Sequence, residues 1–213
     1  MWESFQSDGV RGFLHRPGHA HGDALILTHG AGSNAQAPLL VRVAEAFAET
    51  GSLVLRYDLP FRRQRPHGPP NPHHAAQDRD GIERAFDALC AMAPGRIFAG
   101  GHSYGGRQTA MWAAERPALA AGLLLLSYPL HPPGKPDQKR TNFFPELRTA
   151  ALFVHGTQDP FGSIEELREA LTLIPAPTAL LPVEGAAHDL KRAATVEILA
   201  RFHALTGPDQ ADG

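Results

Sequence analysis

Three polar side chains, far apart along the chain, are of the types that together perform nucleophilic acyl transfer: Ser103, Asp159 and His188. Ser103 lies in Gly101-His102-Ser103-Tyr104-Gly105, a G-x-S-x-G pattern between the apolar run RIFAG and a helical run. In that context the glycines let strand and helix approach while the serine sits on a sharp, strained turn with its hydroxyl exposed. A serine hydroxyl is a poor nucleophile at neutral pH unless a base takes its proton, and the base needs a third group to fix its tautomer. The partners of such an elbow follow in the order Ser, acid, His, each on a loop after a later strand. After ALFVH comes Gly156-Thr157-Gln158-Asp159-Pro160, which makes Asp159 the expected acid, and after TALLPV comes Glu184-Gly185-Ala186-Ala187-His188, which makes His188 the expected base. Asp137 is the reserve acid, and Asp189 is expected to cap the final helix.

Acyl transfer also needs backbone donors aimed at the developing oxyanion, one being the N–H after the nucleophile. Tyr104 supplies it. The second is expected from the loop after an earlier strand, where LTHGAG offers Gly30, Ala31 and Gly32, and the Ala31 N–H is favoured. His29 is expected to organise backbone hydrogen bonds rather than move protons. The same loop fits the dinucleotide fingerprint as Gly30-x-Gly32-x-x-Ala35. Two features argue against that reading. Pro38 starts the helix too late to present its N-terminus to a pyrophosphate, and the acidic candidate Asp58 falls too far along the chain. His67, His73 and His74 show no metal-ligand spacing, so neither metal nor cofactor is expected. Arg56, Arg62, Arg63 and Arg65 could meet an anionic substrate or a partner, but read more simply as a solvated charged loop.

The elements that must hold these residues alternate short β-favouring runs with helical stretches, which predicts a parallel sheet covered on both faces. Strands are expected at 24–28, 53–57, 96–100, 122–127, 151–155 and 178–183, with an antiparallel edge strand at 10–15. Helices are expected over 38–50, near 75–92, 105–116 and 190–205, and from a capping box formed by Ser163 and Glu166. The Pro-rich stretches Pro60–Pro72 and Pro129–Pro145 are expected to be loops that flank the carboxyl ends of the strands and shape a pocket, since open α/β sheets bind ligands there. A chain of 213 residues with 43% hydrophobic content fits one folded domain over 1–213. Lys and Arg number 20 against 22 Asp and Glu, so no basic field exists to hold a nucleic-acid backbone or an anionic membrane. One cysteine, Cys90, and an N-terminus without an apolar signal core point to a reducing, cytoplasmic setting.

With these residues in view, the chain resembles the α/β-hydrolase superfamily over nearly its whole length, and within it the KANL3/Tex30-like branch. The matching stretches are LTHGAG, GHSYGGR, LLLLSYPLHPPGKP, LFVHGTQDPFG and AHDL, of which SYPLHPPGKP is the most branch-specific. The chain is similar to dienelactone hydrolases in compactness, although their elbow carries Cys where this one has Ser103. The resemblance implies an α/β-hydrolase fold with Ser103, Asp159 and His188 as a triad. About two dozen residues separate the strands ending near Ser127 and starting near Ala151, too few for a helical lid. The expected activity is cofactor-free hydrolysis of small carboxylic esters. Eukaryotic relatives in the branch include a subunit of a histone-acetyltransferase complex, so an interaction scaffold is the alternative; retention of all three triad positions favours the enzyme.

Overall fold

Four- to six-residue runs of mostly aliphatic side chains lie at the centre of the molecule in a computed structural model that describes residues 1–207. Eight strands form one sheet: β1 (Trp2–Ser7), β2 (Val10–His15), β3 (Ala24–Thr28), β4 (Leu53–Tyr57), β5 (Ile97–His102), β6 (Leu123–Leu126), β7 (Ala151–Gly156) and β8 (Thr178–Val183). Their order is β1-β2-β4-β3-β5-β6-β7-β8. The pairs from β4 through β8 are parallel, whereas β1 with β2 and β2 with β4 are antiparallel. Every residue of β3, β4, β6 and β7 is buried, as expected of central strands covered on both faces.

Alternation along those strands feeds two cores. Leu25, Leu27, Leu124 and Leu126 face one side, with α1 (Pro38–Glu49) and α6 (Thr195–Thr206) packed over them. There the Phe47 and Phe202 rings meet edge to face at 5.4 Å. Ile26, Ala99, Leu123 and Leu125 face the other side, covered by α3 (Ala75–Cys90), α4 (Tyr104–Glu115) and α5 (Ile164–Leu171). α1 begins with Pro38 at its first turn, buries Leu39, Leu40, Val43, Ala44 and Phe47, and ends before Gly51 at φ 107°. α5 starts with the expected capping box, in which Ser163 Oγ accepts from Glu166 N at 3.1 Å and Glu166 Oε2 accepts from Ser163 N at 2.8 Å. Such a cap contributes about 1 kcal/mol.

Three expectations are corrected. Residues 10–15 do form an antiparallel strand, but β2 is interior; the edge is β1, whose WESFQS is exposed along nearly its whole length and so offers no apolar face to read. The first Pro-rich stretch is not all loop: it holds a short helix α2 (Pro60–Gln64) and leads into a 3₁₀ turn at Pro72–His74. The last helix starts at Thr195 rather than 190, because Leu190 takes a left-handed φ of 49° between two tight turns. Among the described residues no large cap interrupts the sheet, and no helix is long and apolar enough to cross a membrane.

Candidate active site

Between β5 and α4 the chain reverses at Ser103, whose φ of 52° and ψ of −118° are a conformation that a residue with a side chain rarely adopts. The turn is anchored at both ends: Ser103 N donates to Leu126 O at 2.8 Å, and Arg107 N donates to Ser103 O at 2.9 Å. Its glycines serve close approach. A Cβ on Gly105 would stand 2.4 Å from His29 O, and one on Gly106 would stand 2.6 Å from Gly101 O. The helix N-terminus therefore lies directly against β3 and β5, with the hydroxyl at the carboxyl rim of the sheet.

Both expected partners reach that rim. Beyond β7, Gln158 N donates to Ala186 O at 2.9 Å and Thr157 N to Val183 O at 3.1 Å, which ties the acid's turn to the loop carrying the histidine. His188 Nε2 is 2.8 Å from Ser103 Oγ, and His188 Nδ1 is 2.8 Å from Asp159 Oδ2. Because a carboxylate only accepts, Nδ1 carries the proton and Nε2 is left to accept from the serine. The Asp159 side chain is fully buried and that of His188 24% exposed, so the relay runs from the interior to the surface. Burial pushes the Asp159 carboxyl up. The His188 hydrogen bond and charge, the Phe161 N–H at 2.9 Å and nearby His155 more than offset it, and hold the carboxyl below the usual range. Asp137, the reserve acid, is an exposed loop residue. Asp189 caps no helix, contrary to expectation; its carboxylate accepts from Lys191 N and pairs with Lys191 Nζ at 2.9 Å.

The loop after β3 packs on Ser103, since a Cβ on Gly30 would lie 3.3 Å from the Ser103 Cβ. Gly30 O accepts from His29 Nδ1 at 2.9 Å and from Ser33 N at 3.1 Å. In a trans peptide the Ala31 N–H points opposite to that carbonyl, so both bonds set its direction. His29 Nε2 accepts from Leu59 N at 3.1 Å, and burial lowers this ring's pKa to about 4, so it stays neutral and organises backbone as expected. Tyr104 is the first residue of α4, and its N–H has no acceptor within the helix.

Sequence reasoning missed several residues that shape the site. His102 Nε2 donates to His188 O at 2.8 Å, and the Phe161 ring covers the His188 ring at 4.4 Å. Asp78 joins the elbow to α2, accepting from Tyr104 Oη at 2.7 Å and from Phe61 N at 3.0 Å. The arginine cluster is also corrected, because Arg56 and Arg62 are buried rather than solvated. Arg56 reaches His15 and Ala35 O, while Arg62 Nη2 donates to Ala31 O at 2.6 Å and Nε to Ser33 O at 2.7 Å. In place of a ribose, Asp58 accepts from Ala35 N at 2.8 Å and pairs with Arg11. Among the described residues no three His, Cys, Asp or Glu groups are placed to share a metal ion.

A family model described as "Alpha/beta hydrolase domain" matches residues 21–200. Among solved structures, an alpha-beta serine hydrolase homologue from Coxiella burnetii superposes with a TM-score of 0.74 at 17% identity, over 95% of each chain. XC6422 from Xanthomonas campestris, described as an a/b serine hydrolase without lid, has a TM-score of 0.74 at 17% identity, over 95% of this chain and 92% of that one. A dienelactone hydrolase from Anabaena variabilis has a TM-score of 0.72 at 20% identity, over 96% of each chain.

Proposed function

We propose that this chain, which belongs to the alpha/beta hydrolase family, is a serine hydrolase that cleaves small carboxylic esters through an acyl-enzyme. The observation that carries the reading is the unbroken relay from Ser103 Oγ through the His188 ring to Asp159, with 2.8 Å at each step. Ser103 attacks the acyl carbon as His188 Nε2 takes its proton, and the oxyanion forms against the N–H groups of Ala31 and Tyr104. His188 then returns the proton to the departing alkoxide. Water, deprotonated by the same ring, releases the acid and restores the serine.

Esters are favoured over amides because an alkoxide leaves more readily than an amide nitrogen. The absence of a large cap among the described residues, and a neighbour described as lidless, support modest-sized substrates reached from solvent. The test is hydrolysis of short p-nitrophenyl acyl esters by wild type and Ser103→Ala, with fluorophosphonate labelling of the intact protein. Turnover and labelling that both vanish in Ser103→Ala support the assignment. Equal turnover by the two proteins refutes the nucleophile. A wild-type protein that neither labels nor turns over would instead fit the scaffold role suggested by the KANL3/Tex30-like resemblance.

A further inference from the structure

Arg62, on the short helix α2, is only 4% exposed, and among the described residues it pairs with no carboxylate. A buried guanidinium must find acceptors for its donors, because leaving them unsatisfied destabilises the fold. Four carbonyls meet that need. Nη2 donates to Ala31 O at 2.6 Å and to Gly68 O at 3.1 Å, Nε donates to Ser33 O at 2.7 Å, and Nη1 donates to Arg65 O at 3.1 Å. The side chain thereby pins the turn that carries the Ala31 N–H to the chain that follows α2.

The residue before the helix holds the same turn from its other end. Leu59 N donates to His29 Nε2 at 3.1 Å, which leaves Nδ1 to donate to Gly30 O at 2.9 Å, and the peptide of that carbonyl carries the Ala31 N–H. Phe61 reaches the opposite way. Its N–H donates to Asp78 Oδ1 at 3.0 Å, Asp78 Oδ2 accepts from Tyr104 Oη at 2.7 Å, and the Phe61 and Tyr104 rings meet edge to face at 5.6 Å. Asp78 is buried, so bulk water does not compete for these bonds. Gly81 on α3 leaves room for the Pro60 ring, which seats α2 against that helix.

We infer that α2 is the positioning element of the oxyanion hole, a role that rests on the serine-hydrolase reading. Arg62 sets the Ala31 N–H, and the bond from Phe61 to Asp78 sets Tyr104. The two donors come from separate loops, after β3 and after β5, and must converge on one oxygen atom. Such donors act best when they are fixed before the charge develops. α2 is bonded to both loops, and its residues act through the donors rather than on the reacting atoms.

The test uses Arg62→Lys, which keeps the charge but has three donors for four carbonyls, and Tyr104→Phe, which removes the bond to Asp78 and leaves the Tyr104 N–H in place. Each is expected to lower kcat for p-nitrophenyl butyrate by about tenfold or more with KM within about twofold of wild type, the pattern of an interaction made only in the transition state. Because both act through one helix, the double variant should lose clearly less than the product of the single losses. Amide exchange read by mass spectrometry should quicken at 29–36 in Arg62→Lys while the strands stay protected. Arg63→Gln, at an exposed neighbour on the same helix, should leave kcat and exchange unchanged. A loss carried in KM, or single losses that multiply in the double variant, overturns the role and leaves the hydrolase reading intact. Should Arg62→Lys fail to fold, Tyr104→Phe decides alone, and a kcat within about twofold of wild type overturns the role. A wild type that hydrolyses no ester removes the hydrolase reading instead. Exchange then decides: quickening confined to 29–36 upholds α2 as the holder of that turn, and unchanged exchange overturns it.

Discussion

Ser103 holds its hydroxyl out by adopting a backbone conformation that its own Cβ disfavours, at a cost of about 1–3 kcal/mol. Ser103→Gly relieves that strain and Ser103→Ala does not, although both remove the hydroxyl. The glycine variant is therefore expected to melt several degrees above the alanine variant, at about 2–4 °C per kcal/mol for a chain of this size. Matching midpoints in calorimetric scans would mean that the turn stores no strain. Asp159→Asn keeps the shape but stabilises neither the required tautomer nor the imidazolium. It is expected to lower kcat for ester hydrolysis on the order of 10⁴-fold with the fold intact, measured by steady-state kinetics and circular dichroism. A loss smaller than tenfold would remove Asp159 from the relay. The three members of this relay were legible because each sits in a short local pattern at a strand end. His102 was not, because it acts through a carbonyl 86 residues away.

α4 can present its first N–H to the rim only because Gly105 and Gly106 put no side chain of their own between it and β3 and β5. Gly105→Ala would push a methyl group to 2.4 Å from His29 O, a backbone atom that cannot swing aside. The expected result is a loss of about 1–3 kcal/mol in chemical denaturation, together with loss of ester turnover as the helix shifts off the strand. Unchanged stability would show that helix and strand have room to separate. The parallel strands and their helices were readable from buried apolar runs and from caps such as Ser163 with Glu166. β1 was not, since its six residues are mostly exposed and only the pairing with β2 defines it. The shortened final helix has a similar origin. Tight turns at 187–190 and 190–193 carry His188 back over the sheet, and that tertiary demand overrides the helical propensity of the segment.

Five histidines, His15, His29, His102, His155 and His203, have lowered pKa values, with burial the largest cause in each. His15 and His29 fall to about 4. Below the ordinary value of about 6.5 the unfolded chain binds protons that the folded one refuses, so stability falls as pH falls from about 6.5 towards 4. Asp78, raised by burial, works in the opposite sense over the lower part of that window. The thermal midpoint is therefore expected to drop steeply between pH 6.5 and 4.5, and His15→Gln to flatten the drop. A midpoint constant over that range would mean that these rings are not held neutral. The sheet order carries a further consequence, for the timing of synthesis. β2 finds its long-range partner in β4, and β3 lies beyond β4 rather than beside β2. Emerging from the ribosome, the β1–β2 hairpin has no seat until residues 53–57 have also left the exit tunnel, so a segment translated before β3 and β4 must wait for them.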